Sequence, residues 1–366
     1  MEHASPGQLL LVGVRATELG ADEARLLKKV QAGGFILFGR NIKTAQQLRK
    51  LIDDLRDLSK TEPIITIDQE GGRVSRLRLI GNEPPSAQQL RDARDRELIR
   101  RHGDITGRLL RLFGFNLDLC PVLDISFDDD ADNSLRGRCY GRTAIEVIEN
   151  AKLFNDALRA TGVASCGKHF PGYSAATLDA HHELPKIERT QAELDENELA
   201  VFRAFSGSVD SMMVCHGWYP IFEAEKTPAS LSHRVVSNLL RDDLGFTGLV
   251  MTDDLDMGAI LNEYTLDQTL RLAFAAGNDL AMICHRIDKL GEALDIIEKL
   301  PRTELDRALE SVHGFKTKVV APERFSEETF GRINDEIWNL RVAVLGEDRA
   351  AERSVENASR SPVELY

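Results

Sequence analysis

The sequence lacks any apolar stretch near the ~20 residues that a membrane-crossing helix needs, which leaves no candidate span. Its N-terminal apolar run, LLLVGV, is short, and Glu2 stands where a secretory signal would be basic, so a cytoplasmic protein is expected. Cysteine is scarce and scattered: Cys120, Cys139, Cys166, Cys215 and Cys284 form no CxxC pair. An odd, dispersed set argues against both a disulfide framework and a zinc ribbon. Four of them (Cys120, Cys166, Cys215, Cys284) lie in apolar runs and read as small buried hydrophobes. Positive charge is also short, with 46 basic against 59 acidic residues and a net charge of -13. That balance gives no electrostatic basis for binding nucleic acid or an anionic membrane. Gly71-Gly72 sits in no GxGxxG or GxxxxGK[ST] spacing, no HExxH occurs, and no internal repeat is visible.

What is present is rhythm. Short apolar runs, rich in β-branched residues, occupy 8–14, 34–39, 63–68, 115–121, 163–170, 211–216, 248–254 and 279–285. Their length and composition predict about eight strands. Amphipathic stretches fall between them, such as Thr44 to Ser59, where Leu48, Leu51, Ile52 and Leu55 share a face and Thr44 is an N-cap candidate. Arg96 to Phe113, Ala144 to Ala160, Asp195 to Phe205 and Thr265 to Ala276 read similarly. Alternation of apolar strands with helices implies parallel strands covered on both faces. Eight such units point to an α/β fold, a (β/α)₈ TIM barrel, with a doubly wound open sheet as the alternative. The barrel is expected over residues 1–302 as a single catalytic domain, followed by a helical C-terminal extension and polar tail over 303–366.

In such a barrel the chemistry sits beyond the C-terminal ends of the strands. Polar residues recur there: Asp68 then QEGGR, Asp118 and Asp124 ahead of NSLRGRCYGR, Lys168-His169, His216, and Thr252-Asp253-Asp254. Each has a plain structural reading as well. Asp68 opens a turn, and Asp253-Asp254 would cap a helix over DMGAILNE. Arg136, Arg138 and Arg142 form a solvated patch unless paired carboxylates hold an arginine in the cleft. His169, His181, His182 and His216 cluster after the fifth and sixth runs, which fits metal ligation or proton transfer. Asp179 and His181 are two apart in a loop, so the carboxylate can accept from one ring nitrogen and raise the basicity of the other. A carboxylate elsewhere, Asp253, would then act as nucleophile.

The segments IDQEGGRVSRL (67–77), GKHFPG (167–172), LDAHHELP (178–185), MMVCHGWYP (212–220), TPASLS (227–232) and VMTDDLDMGAI (250–260) together resemble family 3 glycoside hydrolases. More narrowly, they resemble the single-domain bacterial β-N-acetylglucosaminidases of peptidoglycan recycling. The resemblance implies a retaining mechanism in which Asp253, rather than Asp254, is the nucleophile and His181 assisted by Asp179 is the acid/base. It also implies that Asp68, Arg138, Lys168 and His169 bind the terminal sugar, with His216, near the nucleophile, as a further substrate-binding residue. No metal or organic cofactor is implied, and the expected partner is a small carbohydrate, an N-acetylglucosamine-containing muropeptide. Two alternatives remain: a β-glucosidase or other β-glycosidase of the family, and a catalytically impaired sugar-binding protein. The sequence departs from the family's usual pattern. Tyr173-Ser174 replace His-Gly after KHFPG, Asp179-Ala180-His181 replaces DSH, and the arginine segment reads RCYGRT without its acidic residue.

Overall fold

A computed structural model describes residues 5–130, 134–176 and 179–354. The polar tail beyond Ser354, Leu178 of the histidine loop, Asn133 and the N-terminus with Glu2 lie outside the described residues. Among those described, eight parallel strands close into a barrel. They are β1 (Leu10–Val12), β2 (Gly34–Leu37), β3 (Ile64–Ile67), β4 (Leu117–Asp118), β5 (Ala164–Phe170), β6 (Ser211–Val214), β7 (Leu249–Asp254) and β8 (Leu280–Ile283). Leu10 of β1 pairs with Ala281 of β8, which completes the ring and leaves no free sheet edge. All eight arise within the eight apolar runs.

The strands are buried almost end to end because helices wrap the barrel outside while side chains fill it inside. Three of the intervening helices start at a capping Thr. Thr44, Thr143 and Thr265 each accept a backbone N–H from three residues ahead, at the starts of Ala45–Leu58, Ala144–Ala160 and Leu266–Ala276. Two expectations are corrected. Asp195 to Phe205 is two helices, Gln191–Glu196 and Glu198–Phe205, the first launched by a Thr190/Glu193 capping box. The break falls at Asn197, whose side-chain amide donates to the Glu193 carbonyl at 2.9 Å and so competes with the helical backbone. Neither Asp253 nor Asp254 caps the following helix, Gly258–Leu261, which begins beyond Met257 with no side-chain cap.

Beyond the barrel, helices Arg302–Lys316 and Glu327–Leu345 continue the chain. The second lies along Arg96–Phe113, with Phe330 edge-on to Phe113 (ring centroids 5.4 Å apart) and Glu336 paired to Arg108. All five cysteines are buried thiols. No helix of the described residues is long and apolar enough to cross a membrane.

Candidate active site

The site is built on the C-terminal ends of β3 to β7. Just after β3 the chain makes a hairpin, Gln69–Gly71 against Val74–Ser75. Its turn needs glycine: Gly71 has φ of 100°, and a Cβ there would stand 2.2 Å from the Pro85 carbonyl oxygen. The hairpin carries Glu70 to a buried position, where it accepts both arms of the Arg138 guanidinium at 2.8 and 2.7 Å. Lys168 Nζ, on β5, reaches Glu70 and Asp68 at 2.6 Å each. Arg76 approaches Asp68 at 3.6 Å. Burial works against the charge of Glu70, but Arg138 and Lys168 outweigh it and hold the carboxyl well below the usual range. Burial likewise opposes the two cations, yet Glu70 and Asp68 raise both above their ordinary values. Asp68, Arg138 and Lys168 are thus a preorganised set of permanent charges facing the cleft. Glu70, which sequence reasoning left unassigned inside QEGGR, is the keystone of the set.

His169 follows Lys168 and is oriented by Asp124, a fully buried carboxylate on the β4 side. Asp124 accepts from His169 Nδ1 at 2.7 Å and from the Tyr173 backbone N–H at 2.6 Å. Fixing Nδ1 leaves Nε2 as the nitrogen available to the cleft. Asp124 was visible as a polar residue after the fourth run, but only the fold sets it beside His169.

At the end of β7 the three neighbouring aspartates separate clearly in role. Asp254 Oδ1 accepts the backbone N–H groups of Asp256 and Cys284, and Oδ2 lies 3.3 Å from His285 Nε2. Asp256 accepts the N–H groups of His285 and Arg286 and the Arg286 guanidinium. Both brace the β8 loop. Asp253 lines the cleft and accepts a hydrogen bond from Asp254 N at 2.8 Å. Burial works against its charge, but His216, His169 and the Asp254 N–H outweigh that and hold its carboxyl below the ordinary value. It is therefore an ionised, lightly solvated carboxylate, as a nucleophile requires.

His216 is not among the residues lining the cleft. It is fully buried, donating from Nε2 to the Asp254 carbonyl (2.9 Å) and accepting at Nδ1 from Ser230 Oγ (2.7 Å). A carbonyl only accepts, which assigns this tautomer. Burial lowers its pKa. With both nitrogens engaged, His216 braces the end of β7 instead of offering a donor to a sugar.

The loop after β5 supplies the last group. His181 Nδ1 lies 2.6 Å from Asp179 Oδ1, and the same oxygen accepts the His181 backbone N–H at 3.0 Å. Burial opposes the charge of Asp179, but His181 prevails and lowers its pKa. The loop rests on the first turn beyond β7: Gly258 N donates to His181 O and Ala259 N to Ala180 O, both at 3.0 Å. A side chain at position 258 has no room, since its Cβ would lie 2.4 Å from the His182 carbonyl oxygen. His182 itself is exposed.

Asp68, Arg138, Lys168, His169, His181 and Asp253 all line one cleft of ≈ 660 Å³. Buried charges, a carboxylate and a carboxylate-backed imidazole gathered at the C-terminal mouth of a barrel define a class: a barrel enzyme with a polar active-site cleft.

Comparison with known proteins makes that class specific. The model of the family described as "Glycosyl hydrolase family 3 N terminal domain" matches residues 4–314, so the chain belongs to this family and is a glycoside hydrolase. A beta-hexosaminidase of Vibrio cholerae serotype O1 is 35% identical over 303 residues, covering 82% of this chain and 88% of the relative. Among solved structures, a family 3 beta-N-acetylglucosaminidase from Paenibacillus sp. superposes with a TM-score of 0.83 at 31% identity, over 93% of this chain and 68% of that one. A beta-N-acetylhexosaminidase from Beutenbergia cavernae gives 0.78 at 25% identity, over 85% and 97%.

Proposed function

We propose that this chain is a retaining, exo-acting β-N-acetylglucosaminidase that removes terminal β-linked N-acetylglucosamine from peptidoglycan-derived muropeptides. The observation that carries the mechanism is the meeting of Asp253 and the Asp179-paired His181 on one cleft. The sugar type rests on the similarity to proteins named beta-hexosaminidase and beta-N-acetylglucosaminidase.

In the first step an Asp253 oxygen attacks the anomeric carbon while the glycosidic bond breaks. The imidazolium of His181 gives its Nε2 proton to the departing oxygen, and Asp179 stabilises the positive ring beforehand. The product is a glycosyl ester on Asp253 and a neutral imidazole. In the second step that imidazole takes a proton from water, whose oxygen attacks the anomeric carbon and releases Asp253. A neutral base suits this step, because a carboxylate there would repel the returning negative charge. Arg138, Lys168, Asp68 and His169 hold the sugar hydroxyls, and their fixed geometry supplies orientation without reorganisation.

Trapping with a 2-fluoro or 5-fluoro glycosyl fluoride, followed by peptide mapping, tests nucleophile and mechanism together. Label on the peptide containing Asp253 is expected, and turnover without any trapped ester would overturn the reading. A panel of aryl β-glycosides assigns the sugar, with fastest release expected from the N-acetylglucosaminide. Calorimetric binding of N-acetylglucosamine with no turnover of any glycoside would instead identify an impaired, sugar-binding descendant.

A further inference from the structure

Two of this chain's departures from the usual family pattern, Tyr173 and Ala180, meet in one hydrogen bond: Ala180 N–H donates to the Tyr173 hydroxyl at 2.9 Å. Both residues are buried, and Ala180 immediately precedes His181. We propose that Tyr173 is a positioning residue for proton transfer, holding the Ala180 backbone so that the His181 imidazole is presented to the glycosidic oxygen. The proposal rests on the reading of His181 as acid/base.

The hydroxyl is a fixed point because everything behind it is fixed. Tyr173 N donates to Asp124 Oδ1 at 2.6 Å, on the carboxylate that also orients His169. The next residue is pinned as well, since Ser174 Oγ accepts the Ile125 N–H at 2.8 Å. The Tyr173 ring lies against His169, with centroids 6.3 Å apart, and spans a recess of ≈ 290 Å³ shared by Asp179, Ala180, His181 and Asp253. On the opposite side the loop is held by the Gly258 and Ala259 N–H groups and by the Asn262 side-chain amide, which donates to the His182 carbonyl at 2.8 Å. The imidazole is thus carried on a backbone gripped at two points, one on the sugar-binding side and one beyond the nucleophile strand. Without the hydroxyl, Ala180 N–H would be buried facing an apolar ring edge, and the loop would shift to satisfy it. A shift of that kind damages proton transfer in proportion to how much the leaving group needs it.

Tyr173→Phe tests this by the dependence of kcat/KM on leaving-group acidity, across aryl β-N-acetylglucosaminides from dinitrophenyl to p-methoxyphenyl. The expected result is about a tenfold loss on the p-methoxyphenyl substrate, near wild-type rates on the dinitrophenyl one, and so a steeper slope. Tyr219→Phe is the control, because that buried hydroxyl donates to the Gly172 carbonyl at 2.6 Å, at the start of the loop, and not to the Ala180 backbone that carries His181. It should lower the melting temperature and leave the slope as in wild type. His181→Ala separates the proposal from its foundation, with a loss of about 10²–10⁴-fold expected on the p-methoxyphenyl substrate. If His181→Ala keeps wild-type rates there, the acid/base reading itself is wrong. If His181→Ala collapses while Tyr173→Phe matches wild type, or loses equally on every leaving group, only the positioning role of Tyr173 is overturned.

Discussion

The two sides of the cleft are built in different ways. On the β3–β5 side, Asp68, Glu70, Arg138 and Lys168 form a buried ion-pair network, with Asp68, Glu70 and Lys168 on or near strand ends and Arg138 brought in by the long loop after β4. On the other, His181 stands on a loop held by backbone hydrogen bonds to Gly258 and Ala259 and by one tyrosine hydroxyl. In the proposed mechanism, charges locked in place suit a task that does not change during turnover, the gripping of hydroxyl groups. A proton-transfer group must alternate between two protonation states, and a neutral hydrogen-bonded mounting leaves that titration to the Asp179–His181 pair. Asp253 also stands at a strand end, that of β7, and in the proposed mechanism it bonds and releases the sugar. Its neighbours Asp254 and Asp256 are both consumed in bracing the β8 loop, which leaves Asp253 for chemistry.

The contrast can be broken most severely at Asp253. Asp253→Ala should lower kcat/KM on p-nitrophenyl β-N-acetylglucosaminide by at least about 10⁴-fold. Asp254→Ala, which removes a brace, should cost far less, and equal losses would erase the distinction between the two. Next in size is Glu70→Gln, which strips a carboxylate from two buried cations. A loss of about 3–5 kcal/mol of unfolding free energy is expected in chemical denaturation. It should come with a raised KM and an unchanged leaving-group slope; a slope change would mean that the two sides are not independent. Gly258→Ala attacks the loop mounting instead. Its Cβ collides with the His182 carbonyl, so the loop must move, and about a 10²-fold fall in kcat on poor leaving groups is expected. Little change in KM should accompany it, and a KM effect as large as that of Glu70→Gln would refute the division.

A separate effect, on stability and not on catalysis, concerns Asp118, buried behind the charge network with Oδ1 accepting the Gln69 N–H. Burial raises its pKa to about 8, against roughly 3.9 when unfolded. The folded state therefore holds a proton that the unfolded state has lost, and stability declines as pH rises from about 4 to about 8. Asp118→Asn should flatten that decline in melting temperature against pH. An unchanged profile would show that Asp118 is ionised in the native protein.

Much of this was legible beforehand. All eight strands, the Thr44-capped helix and the helix over Arg96–Phe113 follow from local composition and periodicity, because a parallel barrel buries whole strands and amphipathic helices. The ten-residue segment Arg234–Asp243, a π-helix, was not anticipated, because nothing in the apolar pattern distinguishes π winding from an ordinary amphipathic helix. The Asn197 break was missed because a side-chain hydrogen bond, not the apolar pattern, interrupts the helix. Asp68, Arg138, Lys168, His169, His181 and Asp253 do share one cleft, while His216 stands behind it and Glu70 and Asp124 entered only with the fold. Partners such as Glu70–Arg138 lie 68 residues apart, and no local pattern encodes that pairing.

By itself, then, the sequence determined the barrel, the order of the polar strand ends and the residue types available for chemistry, because each depends on neighbours a few positions away. Tertiary structure alone decided that Asp254 and Asp256 are taken up in bracing the β8 loop and that Glu70 clamps two cations. It also decided that the residue replacing the family's histidine at Tyr173 reaches across to Ala180. Each of these is a contact between strand ends brought together by barrel closure, and its energy depends on burial and distance, which the chain acquires only when the ring is complete.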